Sequence, residues 1–518
     1  MTIVKVRNGS LRGSVEDGIH SFKAVPYAEP LTATSRWQAP VPRGDWQGVR
    51  DATHYGPACM QFGSGRSRLP FPRMRAAYLR ALGGDLRVVE GDDCLTLNVW
   101  TPGTEAAAKR PVMVWIHGGG FHSGSANEVY DATRFARRDA VCVVIQYRLG
   151  ALGFLHGSGL FEDSLCEDNR AFLDQLCALR WVQDNIAAFG GDASNVTLFG
   201  QSAGAFAIYQ LAASPLAAGL FRRVIALGGM PGTCAPAEEY HALTRDVLQD
   251  IGVRSGDSKA LAALDRAALL KLQAAVSRRI FSAKHRERYG SLSRLRIAYL
   301  GAATGTAFLP RAPLDRFRAG TSNGVDMMLG TCAADGQLFS LMLPLGEALS
   351  ARLFATNLTG LLPGADPRAA RRHYAAQLPG VSATQIVARV NNDAFYRMPT
   401  VAAAAAHAAS HPGRTWLFQL DYQSALPGLG AVHAIDVALL FRTPPVTALI
   451  RDDAQTAALS DLMCDAMVSF ARCGTPAAPG MPAWPPYDTQ QRPTMIFDTP
   501  CRLEMQPDEA LHLYWKRA

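Results

Sequence analysis

Six consecutive apolar residues, Pro111-Val112-Met113-Val114-Trp115-Ile116, run straight into His117-Gly118-Gly119-Gly120-Phe121. A strand with one wet face alternates polar and apolar side chains, whereas this run has no polar face and must be covered on both sides. Val141 to Gln146 reads the same way. Leu95 to Trp100, Val196 to Phe199, Arg223 to Leu227, Val325 to Gly330 and Thr415 to Leu420 are further strand-like runs. Between them lie helical patterns. From about Asp168 to Phe189, the residues Phe172, Leu176, Leu179, Val182, Ile186 and Phe189 recur at steps of four, three, three, four and three. Those steps place them on one helix face, and Gly190-Gly191 stops the helix. Strands alternating with helices predict the α/β class, with a large, mainly parallel central sheet flanked by helices.

The rest of the chain is arranged around that core. Val4 to Arg7, Gly13 to Val15 and His20 to Ala24 read as short antiparallel strands. Residues 60–93, rich in Gly, Arg and Pro, read as a long surface loop with one short helix near Met74 to Leu82. Residues 240–315 and 345–412 are mostly helical in pattern, and Asp452 to Cys473 is a helix closed by Gly474. The expectation is one domain over residues 1–518, with a helical subdomain or insertions at about 240–412.

Charge and cysteine content narrow the partners. The net charge of +8 is spread along 518 residues. Its local clusters, Arg278-Arg279 and Lys284 to Arg288, carry no aromatic stacking pattern, so no nucleic-acid partner is expected. No uncharged apolar stretch reaches about 18 residues, so no membrane span is expected. The first residues lack a secretory apolar run, and a cytoplasmic location is the expectation. The ten cysteines show no CxxC spacing. Cys142 and Cys177 sit in apolar runs as small core residues, while Cys59 and Cys94 bracket the Arg-rich loop. A disulfide there would close a loop of about 35 residues and add roughly 3–4 kcal/mol by chain entropy. A reducing cytosol would leave two thiols, and the residues alone leave both outcomes open.

Gly200-Gln201-Ser202-Ala203-Gly204 fits Gly-x-Ser-x-Gly between a β-prone run and a helix-compatible one. Such a turn lifts the serine out of the sheet, and its glycines remove the Cβ atoms that would clash. Ser202 is the candidate nucleophile and needs a base, which in turn needs an orienting acid. His433, in Gly430-Ala431-Val432-His433-Ala434-Ile435-Asp436, lies in the loop after strand 415–420 and is the candidate base. The acid should fall between Ser202 and His433 in chain order. Asp335 follows strand 325–330 and is the choice; Asp326 begins that strand, and Asp436 suits loop stabilisation or helix capping better. The Ala203 N–H and the Gly118-Gly119-Gly120 loop can supply oxyanion donors. A phosphate cradle would need Gly-Lys-Ser/Thr after the glycines, where this chain has Gly-Phe-His-Ser. His407 and His411 share one helix face, but no third ligand accompanies them, so two ordinary histidines are expected there and no metal.

These residues, taken together, resemble the type B carboxylesterase/lipase family, the cholinesterase-like branch of the α/β-hydrolase fold. The resemblance is carried by Tyr27-Ala28-Glu29-Pro30, Asp92-Asp93-Cys94-Leu95-Thr96-Leu97-Asn98-Val99, His117-Gly118-Gly119-Gly120-Phe121 and Tyr147-Arg148-Leu149-Gly150-Ala151-Leu152-Gly153-Phe154. It continues through Leu179-Arg180-Trp181-Val182-Gln183-Asp184-Asn185-Ile186, Phe189-Gly190-Gly191-Asp192, the Ser202 turn, the His433 loop and Trp484-Pro485-Pro486-Tyr487. It implies Ser202 as nucleophile, His433 as base, Asp335 as acid, and Gly119, Gly120 and Ala203 as oxyanion donors. It also implies a Cys59–Cys94 disulfide, a pattern set by secreted members. The implied activity is hydrolysis of small to medium carboxylic esters through an acyl-enzyme, without cofactor. The loop from Met60 to Asp93 has no Trp to stack on a quaternary ammonium, which disfavours choline esters. Three departures stand out: Gln201 replaces the usual Glu before the nucleophile, Asp335 replaces the usual Glu acid, and Asp168-Asn169-Arg170-Ala171-Phe172 replaces Gly-Asn-x-Gly-Leu.

Overall fold

The computed structural model describes residues 1–62, 73–82, 88–161, 165–285, 287–294, 300–337, 366–381 and 383–517. Part of the expected 60–93 loop, and residues 345–365 of the expected helical stretch, lie outside the described residues. The chain divides into two compact units. One comprises residues 1–65, 87–223 and 233–313, and the other comprises residues 66–86, 224–232 and 314–518.

The first unit contains β1 (Thr2–Val6), β2 (Gly9–Glu16), β3 (Ile19–Pro26), β4 (Val49–Asp51), β5 (Thr96–Thr101), β6 (Arg110–Ile116), β7 (Val141–Ile145) and β8 (Gly191–Gln201). Their order is β1-β2-β3-β5-β7-β6-β8, with β4 beside β2. The first three strands form the antiparallel lead-in expected from their spacing, and β5 joins it antiparallel. From β7 onward the pairing is parallel. The apolar strand β6 lies between β7 and β8, and every residue from Pro111 to Ile116 is buried. Complete burial of one Val or Ile side chain stabilises by about 1.5–3 kcal/mol, so a charge on β6 would be costly. The register sets Ile116 beside Gly200, which puts the end of β6 against the Ser202 turn.

The helix expected from about Asp168 runs over Arg170–Asn185, with a 3-10 turn from Ile186 to Phe189 and Gly190 at φ 75°. It starts late because Asn169 adopts a left-handed conformation, φ 60°. Its buried face holds Phe172, Leu176, Leu179 and Val182 as the spacing requires, and also Asp174. Asp174 accepts from Arg148 Nε at 2.8 Å and Nη2 at 2.5 Å, so the buried charges are paired. Helices Ala237–Asp250 and Arg266–Phe281 give this unit its helical portion, together with a two-stranded parallel pair, Cys234–Pro236 with Ala302–Thr304.

The second unit carries β9 (Arg223–Leu227), β10 (Asp326–Cys332), β11 (Thr415–Leu420), β12 (Thr494–Phe497) and β13 (Arg502–Glu504), in that order. β10, β11 and β12 are parallel, and β13 returns antiparallel. The helix over Ala454–Cys473 begins at Asp453, whose carboxylate accepts from Thr456 N at 2.7 Å. It ends at Gly474, φ 86°. Helices Pro367–Gln377, Ala383–Asn392 and Met398–Ser410 supply the helical content between β10 and β11.

Candidate active site

In the first unit, Ser202 is the hinge between β8 and the helix Ala203–Ala213, with φ 57° and ψ −125°. A non-glycine residue holds such a backbone only when its surroundings impose it. The surroundings here are the end of β6: a Cβ on Gly200 would lie 2.6 Å from the Ile116 carbonyl oxygen, and one on Gly204 1.9 Å from it. The two glycines are therefore required by close packing. The Ser202 carbonyl accepts from Phe206 N at 2.9 Å and starts the helix, while its hydroxyl makes no capping bond. Ser202 itself is half-buried.

The glycine loop lies against this turn. A Cβ on Gly118 would come within 2.9 Å of the Gln201 carbonyl oxygen and 3.1 Å of Ser202 Cβ. Gly119 and Gly120 have φ 112° and 62°, and a Cβ on Gly119 would strike Ser123 O at 2.0 Å. The loop's carbonyls are tied back. The His117 carbonyl accepts from Tyr147 Oη at 2.7 Å, the Gly119 carbonyl from Ser123 N at 3.1 Å, and the Phe121 carbonyl from Gly150 N at 2.7 Å. His117 packs beneath the loop, stacked on Tyr147 at 4.4 Å. Burial lowers its pKa to about 4, so it is a neutral structural imidazole at ordinary pH. Phe121 anchors the far end by packing on Phe154, Phe172 and Phe206. Gln201 is buried at the second position of the turn, with no charge to desolvate.

In the second unit, Asp335 and His433 meet. His433 Nδ1 donates to Asp335 Oδ1 at 2.6 Å across 98 residues of sequence, and both side chains are buried. The other carboxylate oxygen accepts from Cys332 N at 2.7 Å. The loops after β10 and β11 run side by side through an Ala334–Val432 bridge and an Ala334 N to Ala431 O bond of 3.0 Å. This backbone pairing sets Asp335 and His433 within hydrogen-bonding distance. Gly228, φ 58°, lies beneath: a Cβ there would sit 3.1 Å from Asp335 Oδ1 and 3.3 Å from His433 Cε1.

Four residues around this pair were not singled out by sequence as members of the site. Tyr78 donates to the His433 carbonyl at 2.7 Å, and the Tyr396 ring stands 5.3 Å from the imidazole. Cys332 and Gly228 complete the surroundings. Asp436 does not cap the helix Ile435–Phe441, whose N-cap is Ala434; it lies in the first turn and accepts from Val437 N at 2.9 Å. It is also buried beside the pair. Burial, then the Asp335 charge, raise its pKa from 3.8 to about 7, partly offset by His433.

The rival candidates have other partners. Asp326 binds Arg414 Nε at 2.6 Å at the start of β10. His407 bonds Thr415 Oγ1 at 2.7 Å and stacks on His411. Among the described residues, no group of three or more His, Cys, Asp or Glu side chains is placed to hold a metal. No bond joins Cys59 to Cys94: both are buried thiols, and the Cys59 thiol points to the Cys94 carbonyl at 3.8 Å. Burial pushes the Cys59 thiol well up, which keeps it protonated and poorly reactive.

The sequence profile of the carboxylesterase family matches residues 1–512. The chain belongs to the carboxylesterase family. Among curated relatives, the para-nitrobenzyl esterase of Bacillus subtilis is 32% identical over 514 residues, covering 98% of this chain and 96% of the relative. The phenmedipham hydrolase of Pseudarthrobacter oxydans is 32% identical over 500 residues, covering 92% and 91%. Among solved structures, a carboxylesterase of Geobacillus stearothermophilus superposes with a TM-score of 0.82 at 30% identity, covering 99% of this chain and all of that one. This carboxylesterase family member therefore has the α/β-hydrolase fold, and it is a carboxylester hydrolase.

Proposed function

We propose that the protein hydrolyses small to medium carboxylic esters through a Ser202 acyl-enzyme, with His433 as base and Asp335 as its orienting acid. The observation that carries the reading is the buried Asp335–His433 bond. With Nδ1–H given to the carboxylate, Nε2 keeps its lone pair and can accept a proton. Ser202 Oγ attacks the ester carbonyl as its proton passes to His433 Nε2. The Gly119, Gly120 and Ala203 N–H groups bind the oxyanion of the tetrahedral intermediate. The imidazolium then protonates the departing alcohol. Water, deprotonated by His433, attacks the acyl-enzyme and releases the acid. Asp335 holds the ring through Nδ1 and stabilises the imidazolium. Support for the oxyanion role comes from the loop itself, whose carbonyls are tied back into the protein and whose glycines let backbone approach a substrate.

The Bacillus relative is named for para-nitrobenzyl esters, so a p-nitrobenzyl ester and a p-nitrophenyl series from acetate to palmitate are the probes. Turnover is expected to be highest on the short and middle chain lengths and to be lost in Ser202→Ala. A fluorophosphonate should label Ser202 at one equivalent. Activity that survives Ser202→Ala would sink the mechanism, and a maximum at palmitate would sink the substrate range.

A further inference from the structure

The acid is not the only group that holds the base. The Asp335 bond fixes one ring nitrogen of His433. It does not fix the backbone from which the ring hangs. His433 lies between Val432, which bridges to Ala334, and Ala434, which is left-handed at φ 69° where the Ile435–Phe441 helix begins. The peptide between His433 and Ala434 thus sits at a turn. Its carbonyl accepts from the Tyr78 hydroxyl at 2.7 Å, across 355 residues of sequence.

Tyr78 comes from the helix Arg73–Ala81, which packs on the 3-10 helix Val446–Leu449. Its side chain is fully buried, and burial together with Tyr396, Asp335, Cys332 and Asp436 pushes its pKa well up. The phenol therefore stays protonated and remains a donor. A buried hydroxyl aimed at the main-chain carbonyl of the base controls the tilt of that peptide, and with it the direction of the imidazole. We infer that Tyr78 is a positioning residue for His433, its hydroxyl holding the base's carbonyl so that Nε2 keeps a productive heading. This rests on the assignment of His433 as base. A displacement of about 1 Å in a reacting group can cost on the order of 100-fold in rate.

The test is Tyr78→Phe in the full chain, which removes one oxygen and keeps the ring. The kcat on p-nitrophenyl acetate is expected to fall about 10- to 100-fold, with KM within about two-fold. The low-field proton NMR signal of the His433 Nδ1–H is expected to shift or broaden. Leu449→Ala, in the 3-10 helix under the Tyr78 helix, is the control that loosens the same packing and leaves the hydroxyl in place. A Tyr78→Phe enzyme with parent kcat overturns the inference. So does a loss of the same size in Leu449→Ala, which would make the effect one of packing. If Tyr78→Phe does not fold, 3-fluorotyrosine at position 78 keeps the ring and acidifies the donor. An unmoved His433 Nδ1–H signal would then overturn the inference, and a shifted one would support it. His433→Ala separates the two readings: parent-like activity there removes the base assignment itself, whatever Tyr78 does.

Discussion

The Ser202 group and the His433 group are built from different materials. The first is a backbone construction: a strained serine, three consecutive glycines and the end of β6, all drawn from residues 116–204. Its parts are held by close approach, and a methyl group added at Gly119 or Gly204 would lie 2.0 or 1.9 Å from a carbonyl oxygen, well inside van der Waals contact. The second is a side-chain construction. Tyr78, Asp335 and the His433–Asp436 stretch arrive from three distant segments and are held by buried hydrogen bonds. A backbone site fails by steric displacement, whatever the pH. A buried side-chain site also responds to protons, because burial changes what it costs to carry charge.

The largest expected effects remove the reacting groups. Ser202→Ala and His433→Ala should each lower kcat by on the order of 10⁴- to 10⁶-fold, measured by pre-steady-state and steady-state ester hydrolysis. The two together should cost little more than either alone, since they act as a unit; additive losses would break the proposed partnership. Next comes Asp335→Asn, expected at about 10⁴-fold because Asn can stabilise the wrong imidazole tautomer. Near-parent turnover would move the acid elsewhere. Gly119→Ala probes the backbone group. The loop must shift to clear Ser123 O, and kcat should fall about 10²- to 10³-fold, the usual cost of one oxyanion donor. The contrast between the groups predicts that this loss is the same at pH 6 and pH 9, and a pH-dependent loss would contradict it.

The smallest effect is in stability. Asp436 binds its proton more tightly folded than unfolded, its pKa raised from 3.8 to about 7 by burial and then by Asp335. Its favourable contribution is therefore complete below about pH 4 and is lost as pH rises through 7. Asp436→Asn is neutral at every pH. Relative to the parent, it should gain little below pH 4 and on the order of a few kcal/mol at pH 8, read from urea unfolding. A difference that stays flat from pH 4 to pH 8 would show that Asp436 does not carry this proton.

The same contrast explains what could be read before folding. The Ser202 turn and the glycine loop are contiguous, so their spacing survives in the sequence as a pattern. The strands β6 and β7 are buried on both faces, and their unbroken apolar runs, Pro111 to Ile116 and Val141 to Ile145, say so. Asp335 was chosen over Asp326 and Asp436 by its place after a strand, and it is the one that bonds His433. Asp436 reads from sequence as a loop-stabilising or capping residue because three residues of spacing say nothing about dielectric surroundings. Tyr78 lies on the short helix expected near Met74 to Leu82 and found over Arg73–Ala81, but nothing local marks a tyrosine whose partner is 355 residues away. The helix expected at Asp168 begins at Arg170 because Asn169 turns left-handed, which periodicity does not register.

What the sequence determined by itself, then, is whatever depends on local periodicity and contiguous spacing: the alternation of strands and helices, the serine turn with its glycines, and the chain order of Ser202, Asp335 and His433. Tertiary structure alone decided which buried groups share an environment. It set Tyr78 on the carbonyl of His433, Gly228 beneath the Asp335–His433 bond and Asp436 beside a second carboxylate. The physical reason is that hydrogen bonding and desolvation act over a few ångströms of space, irrespective of separation along the chain.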